Sequence, residues 1–552
     1  MPQKFDVIIV GSGACGGWAA MALTQSGFKV ALLEAGSHIE PYRDFHHQWP
    51  YQLPFRGSGQ PGFLRRYCRG ATEYNYRLMI DDVENPYTTP HDKPFSWSRS
   101  RVLGGRTLHW SRACDRLSDL EFKAASRDGY GDNWPISYTD IAPYYDRVER
   151  FIGVSAARAN FLQFPDGVFL PPMPLNCAET MFASAAGRLG LPATPRRVAQ
   201  LTHMWNNRPP CHYCGNCVNG CDVGAMFSTV STTLPPALKT GNVTLLCDSI
   251  VSHVLVNREN RACGVRYIER YTNRTIELAA NVVVLAGSSL ENTRLLLNSA
   301  KGGLANSSGI LGHYLMDQIG GAAVSGFLPV LKGAAIRNDD GKSSGLYFPN
   351  FTNIAPQTGS RGFIRGYAMS ATGGAAQFPA FAPDLPGFGS SYKKQVKTLY
   401  PAFARVWLSG GEMLSRKENF VALDPEVRDK WGIPVLKITC SHCDNDRKLY
   451  ADFFTRAQEL FRAAGGEIVD AKPYLSPPGS LIHEVGTCRM GEDPKTSVLN
   501  SFCQTHDVPN LFVFGGGCFV TTGDKHPTLT MMALSARGCD RLTDLAKKGE
   551  FA

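Results

Sequence analysis

Apolar residues near the start of the chain follow two periods in succession. Phe5-Asp-Val-Ile-Ile-Val10 is a short, nearly continuous apolar run, the pattern of a strand buried on both faces. After Gly11-Ser-Gly13-Ala-Cys-Gly16-Gly17, the stretch Trp18-Ala-Ala-Met-Ala-Leu-Thr-Gln-Ser-Gly27 has helical spacing and a glycine stop. Lys29-Val-Ala-Leu-Leu33 then predicts a second strand, ending in Glu34. Farther on, residues 318–470 alternate strand patterns with glycine-rich turns, as in Gly362-Phe-Ile-Arg-Gly-Tyr-Ala-Met and Phe420-Val-Ala-Leu, which predicts a sheet-based domain. Residues 130–230 hold few long periodic runs. Residues 528–538, directly after His526-Pro527, are strongly helical.

Strand, glycine turn, helix, strand and acid together form a dinucleotide-binding pattern. In this reading Gly11 makes the tight turn, Gly13 lets the backbone approach a pyrophosphate, and Gly16 lets the helix pack closely on the strand. The helix N-terminus faces the diphosphate. Glu34 is spaced to accept a ribose hydroxyl and would repel a 2′-phosphate, so FAD or NAD is expected and NADP is not.

At 552 residues the chain needs two or three folding units. Hydrophobic residues make up 43% and charged residues 19%, the balance of a folded protein and not a disordered one. No apolar run has the length of a membrane span, and the N-terminus enters a buried strand rather than a secretory leader. A cytoplasmic location is therefore expected, with co-export to the periplasm alongside a signal-bearing subunit as the alternative. Net charge is a modest +9, and arginines gather at Arg99, Arg101, Arg106, Arg112 and Arg116. These are expected to form a solvated face that also neutralises phosphate, or else a docking surface for an acidic redox partner. Nucleic-acid motifs and internal repeats are absent from the sequence.

Cys211-His-Tyr-Cys214-Gly-Asn-Cys217-Val-Asn-Gly-Cys221 has the spacing C-x2-C-x2-C-x3-C. Such compact spacing lets one loop wrap an iron–sulfur cluster. A structural zinc, which usually separates two ligand pairs by a longer spacer, and disulfides are the alternatives. Asp222 stands where bacterial ferredoxins place proline. Cys440-Ser-His-Cys443 lies in a strand-like context and reads as structural.

Four further segments carry a family likeness. Ser100-Arg101-Val-Leu-Gly104-Gly105-Arg-Thr-Leu-His109-Trp110 resembles the second flavin-contacting loop of the glucose–methanol–choline (GMC) oxidoreductases. Ile482-His483-Glu-Val-Gly486-Thr487 and His526-Pro527-Thr-Leu-Thr530 resemble that family's two catalytic motifs. Val282-Val-Val-Leu-Ala-Gly287-Ser-Ser-Leu-Glu-Asn-Thr-Arg294 resembles its returning dinucleotide-domain strand and turn. Phe514-Gly515-Gly516-Gly517-Cys518 replaces the acidic form common in choline and alcohol oxidases, which makes pyranose oxidases and bacterial FAD-dependent glucose or glucoside 3-dehydrogenases the nearer relatives.

The resemblance implies an α/β fold: a Rossmann-type FAD-binding domain with a mixed-sheet α+β substrate domain. The FAD domain would comprise residues 1–160, 236–317 and 476–552. Residues 161–235 would be a cysteine-rich insertion and 318–475 the substrate domain. It makes His483 the catalytic base and His526 the partner that orients the substrate hydroxyl. It places Gly11, Gly13, Gly16, Glu34, Arg101, Gly104, Gly105, His109, Trp110, Gly516 and Thr528 against FAD. His109 occupies the position of covalent attachment to the flavin in pyranose oxidases. It points the helix after Pro527 at the flavin pyrimidine edge. The iron–sulfur cluster would be a four-iron one held by Cys211, Cys214, Cys217 and Cys221, or a three-iron one held by Cys211, Cys217 and Cys221. The implied reaction is oxidation of a secondary hydroxyl of a pyranose or glycoside, C3 favoured. Electrons would leave through the cluster to a small subunit or cytochrome c. The alternative is an oxidase that reduces dioxygen around a structural cysteine loop.

Overall fold

The structure is a computed structural model. It describes residues 4–45, 66–68, 70–72, 75–215, 217–321, 323–335, 345–354, 361–374, 379 and 381–551. Strand β1 (Lys4–Val10), helix α1 (Ala14–Gln25) and strand β2 (Val30–Leu33) form where the periodicity predicts them. Val7, Ile8 and Ile9 are fully buried, which is why their run is unbroken by polar residues.

β1 is central in a seven-stranded sheet. It pairs in parallel with β2 (Val10 opposite Leu33) and with Thr275–Leu285 (Val10 opposite Leu285). Val243–Leu246 extends the sheet beyond β2, also in parallel. Leu511–Val513, from near the end of the chain, adds in parallel to Thr275–Leu285. Ala262–Glu269 and Ser249–Val256 complete the sheet as an antiparallel meander. α1 is buried along nearly its whole length between the sheet and the C-terminal helix Thr528–Lys547, so it is apolar all round instead of amphipathic.

The second seven-stranded sheet is antiparallel. Its strands run in the order Glu467–Asp470, Ala323–Phe327, Phe403–Glu412, Tyr367–Gly373, Leu346–Phe348 and Thr194–Pro195, and Gln318–Ile319 also pairs with Phe403–Glu412. Helices Cys177–Arg188 and Asp444–Ala463 cover it through a shared core that includes Phe182, Phe453 and Phe461. Phe420-Val-Ala-Leu, expected in this sheet, instead starts a separate hairpin, Phe420–Arg428 with Pro434–Thr439. Among the described residues no helix is long and apolar enough to cross a membrane.

The arginine group is not a solvated face. Arg99, Arg112 and Arg116 are buried. Arg99 pairs with Asp82, Arg116 with Glu149, and Arg106 with Glu484. Net charge carries no information about burial, and most of these cations are spent on internal ion pairs.

Candidate active site

The glycine loop sits where its steric demands predict. Gly11 has φ +98°, in the region that glycine alone enters freely. A Cβ on Gly16 would stand 1.8 Å from the carbonyl oxygen of Gly11, so the close approach is within the loop itself as well as against Ala286. A Cβ on Gly13 would meet nothing within 4 Å. That open space lies at the head of α1, the shape and polarity of a diphosphate cradle. Glu34 is buried and accepts hydrogen bonds from the Ser12 hydroxyl (2.5 Å) and the Gly36 amide (2.9 Å). Burial raises its pKa, although the Ser12 and Gly36 bonds oppose this. Ser12, which the sequence did not single out, also accepts from the Gly104 amide at 2.9 Å and so ties this loop to Gly104-Gly105.

A cavity of about 400 Å³ joins the rest. Its walls include Gly11, Gly13, Glu34, Arg101, Gly105, His109, Trp110, His483, Gly516, His526 and Thr528. Gly16 and Gly104 lie behind the wall and shape its loops. Trp110 is fixed by its indole N–H donating to Phe227 O at 2.9 Å. His109 lies 2.6 Å from the Ser100 hydroxyl, and burial, then Arg106, push its pKa down to about 4. The C-terminal helix begins at Thr528, after its N-cap Pro527, with its N-terminus in the cavity wall.

The two candidate catalytic rings meet edge to face, centroids 5.1 Å apart. His483 Nδ1 is 2.8 Å from Gln318 Oε1. Gln318 Nε2 donates to both Gly523 O and Lys525 O at 2.8 Å, which fixes the amide orientation and leaves Oε1 as an acceptor. The His483 proton is therefore on Nδ1, and Nε2 is the basic nitrogen, with no hydrogen-bond partner among the described residues. Burial, followed by the neighbouring His526, Arg106 and Arg196, holds His483 well below the ordinary pKa of histidine. Its backbone is equally constrained. Asp317 accepts from the amides of Leu481 (3.1 Å) and His483 (2.9 Å), across Ile482, a β-branched residue at φ +66°.

Both nitrogens of His526 are engaged. Nδ1 donates to Asp115 at 2.6 Å, and Nε2 accepts from Arg196 at 2.8 Å. Burial, then Arg196, lower its pKa against the pull of Asp115. For Asp115 burial alone would raise the pKa, but the His526 bond and the charges of His526 and Arg196 bring it below the usual carboxylate range. Asp115 lies beside Arg196 because residues 112–114 and 197–199 run antiparallel, with Ala113 bridged to Val198. No local signal marks Asp115, Arg196 or Gln318 in the sequence.

Comparison with known proteins accounts for this arrangement. The GMC oxidoreductase family models match residues 5–320 (N-terminal) and 415–535 (C-terminal). The chain belongs to the GMC oxidoreductases. It is 30% identical to 2-methyl-1,2-propanediol dehydrogenase of Mycolicibacterium austroafricanum, over 98% of this chain and 95% of that protein. It is 26% identical to the fructose dehydrogenase large subunit of Gluconobacter japonicus (99% and 98% covered). It is also 26% identical to C-glycoside 3-oxidase of Arthrobacter globiformis (98% and 96% covered). Pyridoxine 4-oxidase from Mesorbium loti shares the fold, with a TM-score of 0.62 at 18% identity over 97% of this chain and 98% of that one.

GMC oxidoreductases bind FAD, and the residues here fit it: an open diphosphate cradle, an acid for a ribose hydroxyl and a helix N-terminus at the far end of one cavity. Gly16→Ala is expected to weaken FAD retention at least about tenfold, since the added methyl group has backbone against it and cannot be relieved by a rotamer change. Flavin content after gel filtration checks this.

The cysteine run of this GMC oxidoreductase is the expected iron–sulfur site. Among the described residues no three His, Cys, Asp or Glu side chains converge to hold an ion. Cys211 accepts hydrogen bonds from Gln200 Nε2 (2.9 Å) and the Tyr213 amide (3.3 Å). Cys214 is exposed. Cys217 and Cys221 are half-buried, near enough to each other and to Cys211 to raise their neighbours' pKa values, behind the larger effect of burial. Spacing along a loop does not dictate which way its thiols point. Cys440 is buried and Cys443 half-buried, both as free thiols.

Proposed function

We propose that this GMC oxidoreductase oxidises a secondary ring hydroxyl of a pyranose sugar or glycoside, at C3. The observation that carries the reading is the unpartnered, neutral Nε2 of His483 beside His526 on the cavity wall. FAD, when bound, supplies the hydride acceptor. His483 Nε2 takes the hydroxyl proton, a task suited to a neutral imidazole whose tautomer is fixed. His526, anchored by Asp115, bounds the other side of the space the hydroxyl must enter. The fructose and C-glycoside enzymes among the relatives support a sugar-like substrate, and the 3-oxidase supports C3. Anaerobic mixing of the holoenzyme with a panel of sugars and methyl glycosides is expected to bleach the flavin, with a 3-keto product seen by NMR. No bleaching by any member of the panel would overturn the reading.

The electron exit is proposed separately. The cysteine spacing and the mutual proximity of Cys211, Cys217 and Cys221 support a cluster that forms when iron is supplied, with a small subunit or cytochrome as acceptor and co-export to the periplasm. The unconverged thiols and the oxidases among the relatives favour dioxygen as the competing acceptor. Anaerobically purified protein is expected to contain about three or four iron and sulfide per flavin. Flavin without sulfide would assign the loop a structural role and the enzyme to the oxidases. Attachment of FAD through His109 is proposed from its place in the cavity wall; flavin colour staying with the acid-denatured protein checks it.

A further inference from the structure

Burying a guanidinium without a counter-charge is costly, and almost every buried arginine here avoids the cost. Arg99, Arg116, Arg197, Arg294, Arg365 and Arg489 each meet a carboxylate. Arg208 donates to the carbonyl of Ile152. Arg112 is different: it is 6% exposed, and its guanidinium has neither a hydrogen bond nor an ion pair among the described residues.

Arg196, half-buried, is also without an ion pair among the described residues. It sits on the edge of the substrate-side sheet, just after Thr194–Pro195. The one hydrogen-bond partner of its side chain among the described residues is His526 Nε2, and no carboxylate lies within ion-pair distance. Its Nε has no partner. Arg112 is close enough to depress Arg196's hold on its proton, after burial and against Asp115. The Tyr347 hydroxyl, on the adjoining strand, is also buried and unbonded. Asp115 is the carboxylate acting on this group; its Oδ2 is taken by His526, and its Oδ1 has no hydrogen-bond partner among the described residues.

In the resting site, then, a cation whose one carboxylate, Asp115, stands beyond ion-pair distance occupies the nitrogen of His526 that a substrate hydroxyl would approach. A neutral sugar has nothing with which to draw it away. A carboxylate does, because it accepts two parallel bonds from a guanidinium fork at its full charge. We propose that Arg196, with Arg112 behind it, is the recognition point for a carboxylate on the substrate, so that the preferred substrates are sugar acids and not neutral sugars. This rests on the proposal that the enzyme oxidises a ring hydroxyl, and it names the chemical class of that substrate. Binding of the carboxylate moves Arg196 off Nε2 and opens His526 to the hydroxyl being oxidised.

The test compares methyl α-D-glucoside with methyl α-D-glucuronide, which present the same secondary ring hydroxyls and differ at the carboxylate. Anaerobic flavin bleaching is followed in the FAD-loaded enzyme and in Arg196→Gln. The glucuronide is expected to have a kcat/KM at least about tenfold higher in the unaltered enzyme, mostly through KM, as for a charge-assisted bond gained. Arg196→Gln is expected to remove that preference. Equal values, or a preference for the glucoside, in the unaltered enzyme would overturn the inference while leaving sugar oxidation standing. That comparison needs no variant to fold. A preference that survives in folded, flavin-loaded Arg196→Gln would overturn the assignment to Arg196. Bleaching by neither glycoside, with bleaching by a simple diol, would overturn this inference and the sugar reading together.

Discussion

His483→Ala is expected to lower kcat by on the order of a hundredfold or more while leaving FAD bound, because it removes the proton acceptor without touching the diphosphate cradle or Glu34. The pH profile adds a second, independent signature. A depressed pKa means that the imidazole becomes protonated only in more acidic solution than usual. The base form is therefore present throughout the neutral range. With the unaltered enzyme kcat/KM should stay level as pH falls through about 6.5, the ordinary histidine value, and decline only well below it. Near-normal turnover in His483→Ala, or an acid limb centred on about 6.5, would show that another group carries the proton.

Gln318→Met should lose about ten- to a hundredfold in kcat with little change in KM or flavin content. Methionine fills the same volume but cannot accept the Nδ1 proton of His483 or donate to Gly523 and Lys525. The imidazole is then free to place its proton on Nε2, where it cannot serve as base. Gly523 O keeps the Thr522 hydroxyl, but the Lys525 carbonyl is stranded, a stability cost of about 1–3 kcal/mol that a thermal midpoint would register apart from the kinetics. Full turnover in a folded Gln318→Met protein would remove Gln318 from the positioning role. The effect extends to the second histidine, since the carbonyls held by Gln318 flank Asp524, and Lys525 immediately precedes His526.

These residues divide according to how their signals travel along the chain. β1, α1 and β2 could be read directly because their determinants are local: a period, a glycine turn and a terminal acid, all within the first 34 residues. His483 and His526 were legible through the motifs around them, and the cavity wall contains both. Gln318, Asp115 and Arg196 were not legible. Each is an ordinary polar residue until two sheets close on one another, and the three lie far apart in sequence. Arg112 and Arg116 were read as surface charge because composition counts charges without placing them.

The order in which the first sheet is assembled bears on biogenesis. β1 is made long before its neighbour on the side away from β2, Thr275–Leu285, and that strand in turn waits for Leu511–Val513. The cavity wall is finished only by residues 514–531. Until then an apolar strand edge is unpaired, a state prone to misassociation. Flavin loading into the finished cavity must therefore follow synthesis of residues 514–531. A nonsense product lacking the helix Thr528–Lys547 would be cofactor-free, with the apolar flank of α1 uncovered, and a natural client for chaperones and proteases.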